Sequence, residues 1–321
     1  MLFPSPSDLR EIRDCSWSFP GGSFGYAERE GARVVTLGMS WRSLAPRAHF
    51  VARALGIGTR PTTRCSATMA KDEMKRVHGN LHVHMVPALS DNYVFIIQEQ
   101  TFGKVAVIDP SEFSPVSNAV DAIGLKGVDY IYNTHHHWDH TDGNLQVKEK
   151  YGCHVYGFKG DSARIPGIDV ELVEGSDLIF GDEPVLIFET PGHTSGHISF
   201  YFSKSKVAFV GDTLFAMGCG RLFEGSPQQM HESLQKLVSA LPPETTVYCA
   251  HEYTASNAKF AATVEPENSE LMKRCEEVRA LRAKNIKTVP TTMDLELKTN
   301  PFLRCKNSAD FARVRKLKDN F

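Results

Sequence analysis

The chain lacks several features that define common protein classes. Its seven cysteines are dispersed and form no Cys-x-x-Cys pair, which argues against a thiolate metal site and against a disulfide framework. No apolar run reaches the roughly eighteen residues needed to cross a bilayer. The formal net charge is −2 over 321 residues, so charge gives no reason to expect nucleic acid or a membrane as partner. With 41% hydrophobic residues, the composition is that of a globular protein.

The amino-terminal region also lacks charge of one sign. Residues 31–70 contain no Asp, Glu or Lys but six arginines. An arginine-rich, acid-free leader is typical of an organelle transit peptide. The sequence therefore predicts that residues 1–78 are a disordered extension that carries the full-length form to the mitochondrial matrix or another organelle. Two alternatives stay open: an extension without a targeting function, and coding sequence upstream of a true start at Met39 or Met69, which would give a cytoplasmic form.

Secondary-structure signals begin near residue 82. Clusters of β-branched and aromatic residues predict strands over 83–86, 93–97, 104–108, 128–132, 185–188, 198–202, 207–210 and 246–249. Periodicity and capping residues predict helices over 117–123, 142–150, 227–240, 255–264, 268–284 and 308–318. Because the strand signals stop after residue 251, we expect an α/β catalytic domain over 79–254 and a small helical domain over 255–321.

The most specific signal is the pattern His-x-His-x-Asp-His, which spans His135 to His140. Imidazole and carboxylate groups are the side chains that bind zinc, iron and manganese. Random ordering of a chain with this composition would give the pattern roughly once in a thousand cases, so a polar loop that merely happens to be rich in histidine is a weak alternative.

Potential ligands also follow three other predicted strands. Loop residues beyond the carboxyl ends of strands gather in a shared crevice, so these side chains are expected to converge. The candidate ligands are His135, His137, Asp139, His140, His193, Asp212 and His251. A catalytic zinc ion usually takes three protein ligands, so this set suits two divalent ions that share a bridging carboxylate and a bridging hydroxide. We expect His136 to point away from the ions and His197 to support a ligand or to pack.

These motifs resemble the metallo-β-lactamase superfamily and, within it, glyoxalase II, the hydroxyacylglutathione hydrolases. The resemblance runs from about Leu81 to Phe321 and includes Ser90–Tyr93, Thr190–His197, Gly211–Phe215 and His251–Thr254. It implies a four-layer αββα sandwich with a small all-α carboxy-terminal domain. It also implies that metal one is held by His135, His137 and His193, that metal two is held by Asp139, His140 and His251, and that Asp212 bridges them.

The resemblance further implies a glutathione pocket between the metal domain and the helical tail. The residues that match the family's substrate positions are Arg221, Phe223, Tyr253, Asn257, Arg315 and Lys318. Arg315 and Lys318 lie three residues apart and would face the carboxylates of glutathione. Without the resemblance, a basic last turn that complements the helix dipole would be the simpler interpretation. Phe223 departs from the tyrosine of many family members, which removes one hydroxyl contact.

The resulting hypothesis is a binuclear thioester hydrolase that converts S-D-lactoylglutathione and water to D-lactate and glutathione. A metal lowers the pKa of bound water towards 7, and Asp139 and Asp212 would act in catalysis by holding the hydroxide nucleophile between the ions. We expect zinc, iron or manganese as cofactor, a monomer, and no nucleic-acid or membrane partner. The alternatives are another enzyme of the same fold, such as a persulfide dioxygenase, lactonase, β-lactamase or nuclease, and a non-catalytic metal-binding protein.

Overall fold

The structure, a computed structural model, describes residues 75–321, and the earlier part of this range forms a seven-stranded β-sheet. Its strands are β1 (Lys75–His78), β2 (Leu81–Ala88), β3 (Asn92–Glu99), β4 (Val105–Ile108), β5 (Tyr130–Tyr132), β6 (His154–Phe158) and β7 (Ile168–Leu172). They lie side by side in chain order. The pairs from β1 to β4 are antiparallel and those from β4 to β7 are parallel.

A second sheet is built from later strands. The strands of this part are β8 (Leu178–Phe180), β9 (Glu183–Glu189), β10 (Ile198–Phe202), β11 (Val207–Phe209), β12 (Leu214–Phe215), β13 (Gly218–Cys219), β14 (Thr246–Tyr248) and β15 (Thr291–Thr292). Six of them form the sheet in the order β15-β14-β11-β10-β9-β8, while β12 and β13 pair as a separate hairpin. Because β10 is antiparallel to both β9 and β11, and β14 is parallel to β11, the strands β9, β11 and β14 run in one direction.

Eight α-helices occur in residues 75–321. They are α1 (Phe113–Ile123), α2 (Trp138–Thr141), α3 (Asn144–Tyr151), α4 (Pro227–Ala240), α5 (Thr254–Val264), α6 (Ser269–Ala283), α7 (Met293–Thr299) and α8 (Ser308–Asp319). The start of α4 is fixed by a capping box between Ser226 and Gln229, with proline at its first position. Apolar side chains of α1 and α3 pack on the first sheet, and those of α4 belong to the core that includes the second sheet.

Aromatic side chains join the two sheets face to face. The ring of Phe95 in β3 lies 5.2 Å from the rings of both Phe209 and Tyr248 in the second sheet. Tyr132 of β5 stacks on Phe200 of β10 at a centroid distance of 5.4 Å. Burial of such aromatic side chains supplies much of the stability of a sheet sandwich. With helices on the outer faces, the arrangement is the four-layer αββα sandwich that the sequence predicts.

Two short strands lie where the sequence predicts none. β1 pairs with β2 although its residues were assigned to the extension 1–78, and the remainder of that extension lies outside the described residues. β15 pairs with β14, so the segment 255–321 is not wholly helical. Both strands are short edge strands, held by backbone hydrogen bonds, and they lack the apolar alternation that sequence patterns detect. All predicted strands and helices are present, with shifted ends, but β6, β7, β8, the hairpin β12–β13 and the helices α2 and α7 were not predicted.

Candidate metal centre and substrate cavity

Four strands carry the predicted metal ligands, each in the loop that follows the strand. β5 leads to the His135–His140 loop, β9 to His193, β11 to Asp212 and β14 to His251. The loops meet because the second-sheet strands share one direction and because backbone bonds tie the sheets together here. One such bond runs from the N–H of Tyr93 to the carbonyl of Ala250 over 2.7 Å. The seven predicted ligands are thereby brought into one cluster.

Three imidazoles form the first half of this cluster. His137 Nδ1 lies 3.1 Å from His135 Nε2 and 3.0 Å from His193 Nε2. These three nitrogens belong to one group whose ligand atoms all lie within 4.8 Å of one another. Nitrogen ligands in such an arrangement can bind a single divalent ion. We call this group site one.

The second half consists of Asp139, His140 and His251. Asp139 Oδ2 lies 3.6 Å from the Nε2 atoms of both His140 and His251. Helix α2 starts at Trp138, and both Asp139 and His140 belong to this short helix. We call this group site two. The sequence prediction that the loop divides its ligands between two ions agrees with this geometry.

Asp212 lies between the two sites and presents one oxygen to each. Its Oδ2 is 3.4 Å from His193 Nε2 in site one, while its Oδ1 is 3.6 Å from His140 Nε2 and 3.4 Å from His251 Nε2 in site two. Gly211 precedes it with a φ of 47°, and a side chain there would meet Thr134 and His197, so only glycine fits this turn. The geometry is that of a carboxylate able to bridge two ions.

Two atoms at this centre test whether the residues fit divalent metals. His140 Nε2 and Asp212 Oδ1 are buried and have no hydrogen-bond partner in the structure. An unpartnered buried polar atom costs about 1–3 kcal/mol, and a bound cation removes that cost. The donor set of imidazole nitrogen and carboxylate oxygen is the one that zinc, iron and manganese prefer. The residues therefore fit a pair of divalent ions.

The outward-facing nitrogens of four ligand imidazoles have partners that fix their orientation. In site one, His135 Nδ1 lies 3.0 Å from Thr134 Oγ1, and His193 Nδ1 lies 2.9 Å from the carbonyl oxygen of Arg221. In site two, the partners of His140 and His251 are carboxylates: Asp109 Oδ2 at 3.1 Å and Asp91 Oδ1 at 2.8 Å. Such partners set the tautomer and raise the basicity of a ligand.

The sequence analysis gave no role to Asp91 or Asp109. Asp91 belongs to the Ser90–Tyr93 motif, and Asp109 follows β4, parallel to β5, so an acidic residue at a neighbouring strand end was the signal that could have found it. Asn92 was also missed; its amide donates to the Asp139 carbonyl over 3.0 Å and to Asp139 Oδ2 over 3.2 Å.

Burial and neighbouring charge set different protonation states at the two sites. Burial, followed by the imidazoles around it, holds the pKa of His135 well below its ordinary value. Burial would raise the pKa of Asp212, but His251, His140 and His193 hold it far below the usual range. Burial would likewise lower the pKa of His251, yet the carboxylates of Asp212, Asp91 and Asp139 raise it to about 9. A metal bound here would therefore displace a proton from site two.

The two histidines that the sequence analysis separated from the ligands do point elsewhere. His136 faces Asp161, with 3.0 Å between His136 Nδ1 and Asp161 Oδ2. His197 is buried, and its Nε2 accepts the backbone N–H of Asp212 over 3.1 Å. Both predictions are confirmed. His197 thus supports Asp212, the candidate bridging carboxylate, through the backbone N–H of Asp212.

A cavity of about 750 Å³ opens from the metal ligands towards the helical tail. All six predicted substrate residues line it, together with five metal ligands and four side chains to which the sequence analysis assigned no contact. Those four are Trp138, Phe215, Cys219 and Ser256. Two ends are defined here: the metal end, formed by sites one and two, and the tail end, formed by Arg315, Lys318, Ser256 and Cys219.

The two basic residues of the tail end, Arg315 and Lys318, differ in their burial and in their ion pairs and hydrogen bonds within the protein. Arg315 is 5% exposed, pairs with Asp319 at 2.8 Å and donates to the carbonyl oxygen of Cys219 over 3.0 Å. Lys318 is half-buried and, among the described residues, donates to Ser256, over 3.2 Å to its carbonyl and 3.3 Å to its hydroxyl, while its ammonium also lies over the rings of Phe260 and Phe321. Neither is a solvated residue of a last helical turn, which removes the simpler interpretation of this basic pair.

The other four predicted substrate residues also differ in how far they are buried in contacts with the protein itself. Asn257 is buried and its amide donates to the Ala216 carbonyl over 3.1 Å. Tyr253 stacks on the ligand His251, with ring centroids 4.7 Å apart and planes within 3°. Phe223 is 64% exposed, and its ring lies 5.2 Å from that of His193. Arg221 is exposed at the cavity wall.

The αββα sandwich, with His and Asp ligands for two ions at its strand ends, defines a metallo-β-lactamase superfamily protein. A family model described as the metallo-β-lactamase superfamily matches residues 88–251. A second, described as the hydroxyacylglutathione hydrolase C-terminus, matches residues 252–321. The crystal structure of ETHE1 from Myxococcus xanthus is similar in fold, with a TM-score of 0.56 and 22% identity over 73% of this chain and 89% of that one.

Curated relatives extend the match through both regions. The hydroxyacylglutathione hydrolase of Methylococcus capsulatus is 49% identical and covers 73% of this chain and 91% of its own length. That of Rhodospirillum rubrum is 47% identical over 76% of this chain and all of its own. That of Gloeobacter violaceus is 48% identical over 74% of this chain and 99% of its own. The chain belongs to the hydroxyacylglutathione hydrolase family.

Membrane insertion was not expected from the sequence. Among residues 75–321, none of the helices combines the length and apolarity that a membrane span requires.

Proposed function

We propose that this protein hydrolyses S-D-lactoylglutathione to D-lactate and glutathione. One observation carries the proposal: a single cavity joins a two-site metal centre, bridged by Asp212, to a tail end that presents Lys318, with Arg221 on the wall. The first end suits attack on an acyl carbon, and the second suits the carboxylates of glutathione. Family membership supports the same activity, because the curated relatives carry the name hydroxyacylglutathione hydrolase.

The residues proposed to hold the metals are those of sites one and two, with Asp212 between them. Bound there, two divalent ions would supply hydroxide at neutral pH and would polarise the thioester carbonyl. Zinc, iron and manganese all accept this donor set. The chain's own part is to orient the imidazoles, which Thr134, Asp109, Asp91 and the Arg221 carbonyl do through the contacts described above.

The rest of the cavity would position the substrate. Lys318 and Arg221 are the cations whose side chains reach the cavity without a carboxylate partner among the described residues, so we assign them to the glutathione carboxylates. Tyr253 and Phe223 flank the metal end and would border the thioester. A thiol leaves as a thiolate with a pKa near 8.5, so the reaction needs little proton donation. Asn257 and Arg315 would act by shaping the cavity wall.

The test is direct assay of the protein with its metal content measured. The full chain, and a form starting at Met69, are assayed for release of glutathione from S-D-lactoylglutathione. Turnover that depends on two bound metals supports the proposal. If the fully loaded protein releases no glutathione, the thioesterase assignment is wrong, and persulfide oxidation is then the next activity to assay.

The organisation of the chain is also proposed here. We divide it into an extension (1–78, of which β1 joins the first sheet), a catalytic domain (79–254) and a helical domain (255–321), and we expect a monomer. Import of the full-length form into an organelle stays a prediction; the bacterial relatives give it no support. Fusing residues 1–78 to a fluorescent protein in eukaryotic cells tests it: diffuse fluorescence would contradict targeting. Sedimentation of the purified chain tests the monomer.

A further inference from the structure

A cluster of charged side chains lies beside site one and has no part in the proposed reaction. Its members are Asp161, Arg164 and Glu224, and we call it the Arg164 cluster. The guanidinium of Arg164 donates to a carboxylate oxygen of Asp161 and, over 2.6 Å, to Glu224 Oε1. Asp161 is 2% exposed, which is unusual for a carboxylate and requires strong partners.

One arm of the cluster holds the loop that carries two ligands of site one. Asp161 Oδ2 lies 3.0 Å from Nδ1 of His136, the residue between His135 and His137. Because His136 lies between two ligands of site one, its contact with Asp161 restrains the loop that carries His135 and His137.

The other arm holds the loop that carries the third ligand. Glu224 Oε2 accepts the backbone N–H of Ser195 over 2.8 Å and its hydroxyl over 2.7 Å, two residues beyond His193. The N–H of Glu224 also donates to the His193 carbonyl over 3.3 Å. Asp161 packs so closely on Gly196 that a side chain there would overlap its carboxylate. Both loops of site one are thus fixed to one ionic group.

The ligands of site two are held directly by Asp109, Asp91 and Asn92, and none of these contacts the Arg164 cluster in residues 75–321. Asp109 also accepts the N–H of Thr134 over 2.8 Å and its hydroxyl over 2.7 Å, and Thr134 is the partner of His135, so Asp109 supports both sites. In site one, the outward-facing nitrogens of His135 and His193 meet a hydroxyl and a carbonyl, where those of His140 and His251 in site two meet carboxylates. The geometry of site one therefore depends more on how its loops are held.

We propose that Asp161, Arg164 and Glu224 are positioning residues that fix the two loops of site one, so that their loss weakens metal binding at site one and spares site two. The inference rests on the two-metal part of the proposed function and is independent of the substrate. Loss of residues that orient metal ligands typically lowers metal affinity by about 10- to 100-fold. We expect that loss for one of the two metal equivalents only.

The experiment is a zinc titration of the metal-free full chain against a chromogenic chelator, with Glu224→Gln, Asp161→Asn and Ser195→Ala. Glu224→Gln keeps the side-chain shape, and Ser195→Ala removes only the two hydroxyl contacts, with Glu224 and Arg164, so a folded variant remains if Asp161→Asn does not fold. The matched control is Lys206→Gln, which breaks the exposed ion pair with Glu244. Crystals grown with one zinc equivalent, measured by anomalous diffraction at the zinc edge, identify the filled site.

The expected result is one equivalent weakened about 10- to 100-fold, the other within about threefold of wild type, and zinc at site two in the crystals. The mirror variant Asp91→Asn, which changes the partner of the site-two ligand His251, should weaken the opposite equivalent. Equal weakening of both equivalents, no weakening, or zinc retained at site one would overturn the proposal. Because glutathione release is not part of this test, failure of the thioesterase assignment would leave it standing.

Discussion

The side chains at the metal end and at the tail end of the cavity differ in how many of their polar atoms are bonded within the protein. At the metal end, seven side chains turn their binding atoms towards one another, and two of those atoms, on His140 and Asp212, have no protein partner. At the tail end, Arg315 is buried in contacts with the protein itself, and only Lys318 keeps its charge largely uncommitted. Buried polar atoms without a hydrogen-bond partner indicate a binding role, whereas buried polar atoms whose hydrogen bonds are made within the protein indicate a structural role. Residue type alone does not separate Arg315 from Lys318.

The largest effect should come from removing the bridge at the metal end. Asp212→Asn keeps the shape but removes the charge that faces both sites. Electrostatic stabilisation by a metal centre contributes several kcal/mol, so we expect kcat/KM to fall by about 10³-fold or more, at 1.4 kcal/mol per factor of ten. The measurement is steady-state hydrolysis with zinc content determined in parallel. Asp169→Asn, in a surface carboxylate paired with Lys148, serves as control. Full activity with one zinc bound would show that the bridge is dispensable.

The tail end should respond to loss of Arg315 first in stability. Arg315→Met leaves the Cys219 carbonyl without its donor and breaks the pair with Asp319. Unpaired buried groups cost about 1–3 kcal/mol, so we expect a loss of about 2–3 kcal/mol in the free energy of unfolding, measured by urea titration. Arg313→Met, on the exposed face of the same helix, should change it by less than about 0.5 kcal/mol. Unchanged stability with a raised KM would instead make Arg315 a direct substrate contact.

Loss of Lys318, in contrast, should first affect substrate binding. Lys318→Met removes the ammonium with little change in apolar volume, and loss of a charged hydrogen bond to a carboxylate costs about 1.5–3 kcal/mol. We expect KM to rise about tenfold or more, with kcat nearly unchanged, because the contact is made in both ground and transition states. Lys316→Met, exposed on the same helix, is the matched control. An equal rise in both variants would indicate long-range attraction and no specific contact.

The pH dependence of KM offers a smaller and independent test of the same residue. Burial, and then the charges of Arg315 and Arg221, lower the pKa of Lys318 to about 8, against a small opposing effect of Cys219. The amine is therefore charged below pH 8 and loses its charge above it, so KM should rise between pH 8 and 9. In Lys318→Arg the guanidinium stays charged throughout this range and the rise should disappear. A rise that persists in Lys318→Arg belongs to another group.

The same contrast explains what sequence could predict. The seven candidate metal ligands could be predicted residue by residue, because a metal demands particular side chains and strand ends deliver them at short, regular positions. Asp91 and Asp109 were not predicted because they act through hydrogen bonds to a candidate ligand or its neighbour, and many aspartates look the same in sequence. The proposed difference between Arg315 and Lys318 was not predicted because it depends on which side chain meets the β12–β13 hairpin, itself only two residues per strand.

The elements of the fold could likewise be predicted only where they leave a local pattern in the sequence. Long apolar runs such as β3 and β10, and the well-capped α4, were predicted because burial and capping leave local patterns. β1, β8 and β15 were missed since they are short strands at sheet edges, where backbone pairing with a neighbour decides the conformation. β1 and β8 pair with the next strand across a short turn, whereas β15 pairs with a strand distant in the chain. In each case the missing information was a backbone pairing that leaves no apolar pattern in the sequence.

The smallest expected effect is tighter substrate binding, and it concerns Phe223, a residue of the cavity wall. Phe223 is exposed at the cavity wall, beside the rings of His137 and His193. Phe223→Tyr adds the hydroxyl that the family resemblance predicts at this position, and a net hydrogen bond contributes about 0.5–1.5 kcal/mol. We expect KM for S-D-lactoylglutathione to fall about threefold with kcat unchanged, and Phe102→Tyr, in an exposed phenylalanine outside the cavity, to change neither. A lower kcat in place of a lower KM would mean that the ring acts on the ligands of site one, which would tie this position to the metal end and not to glutathione.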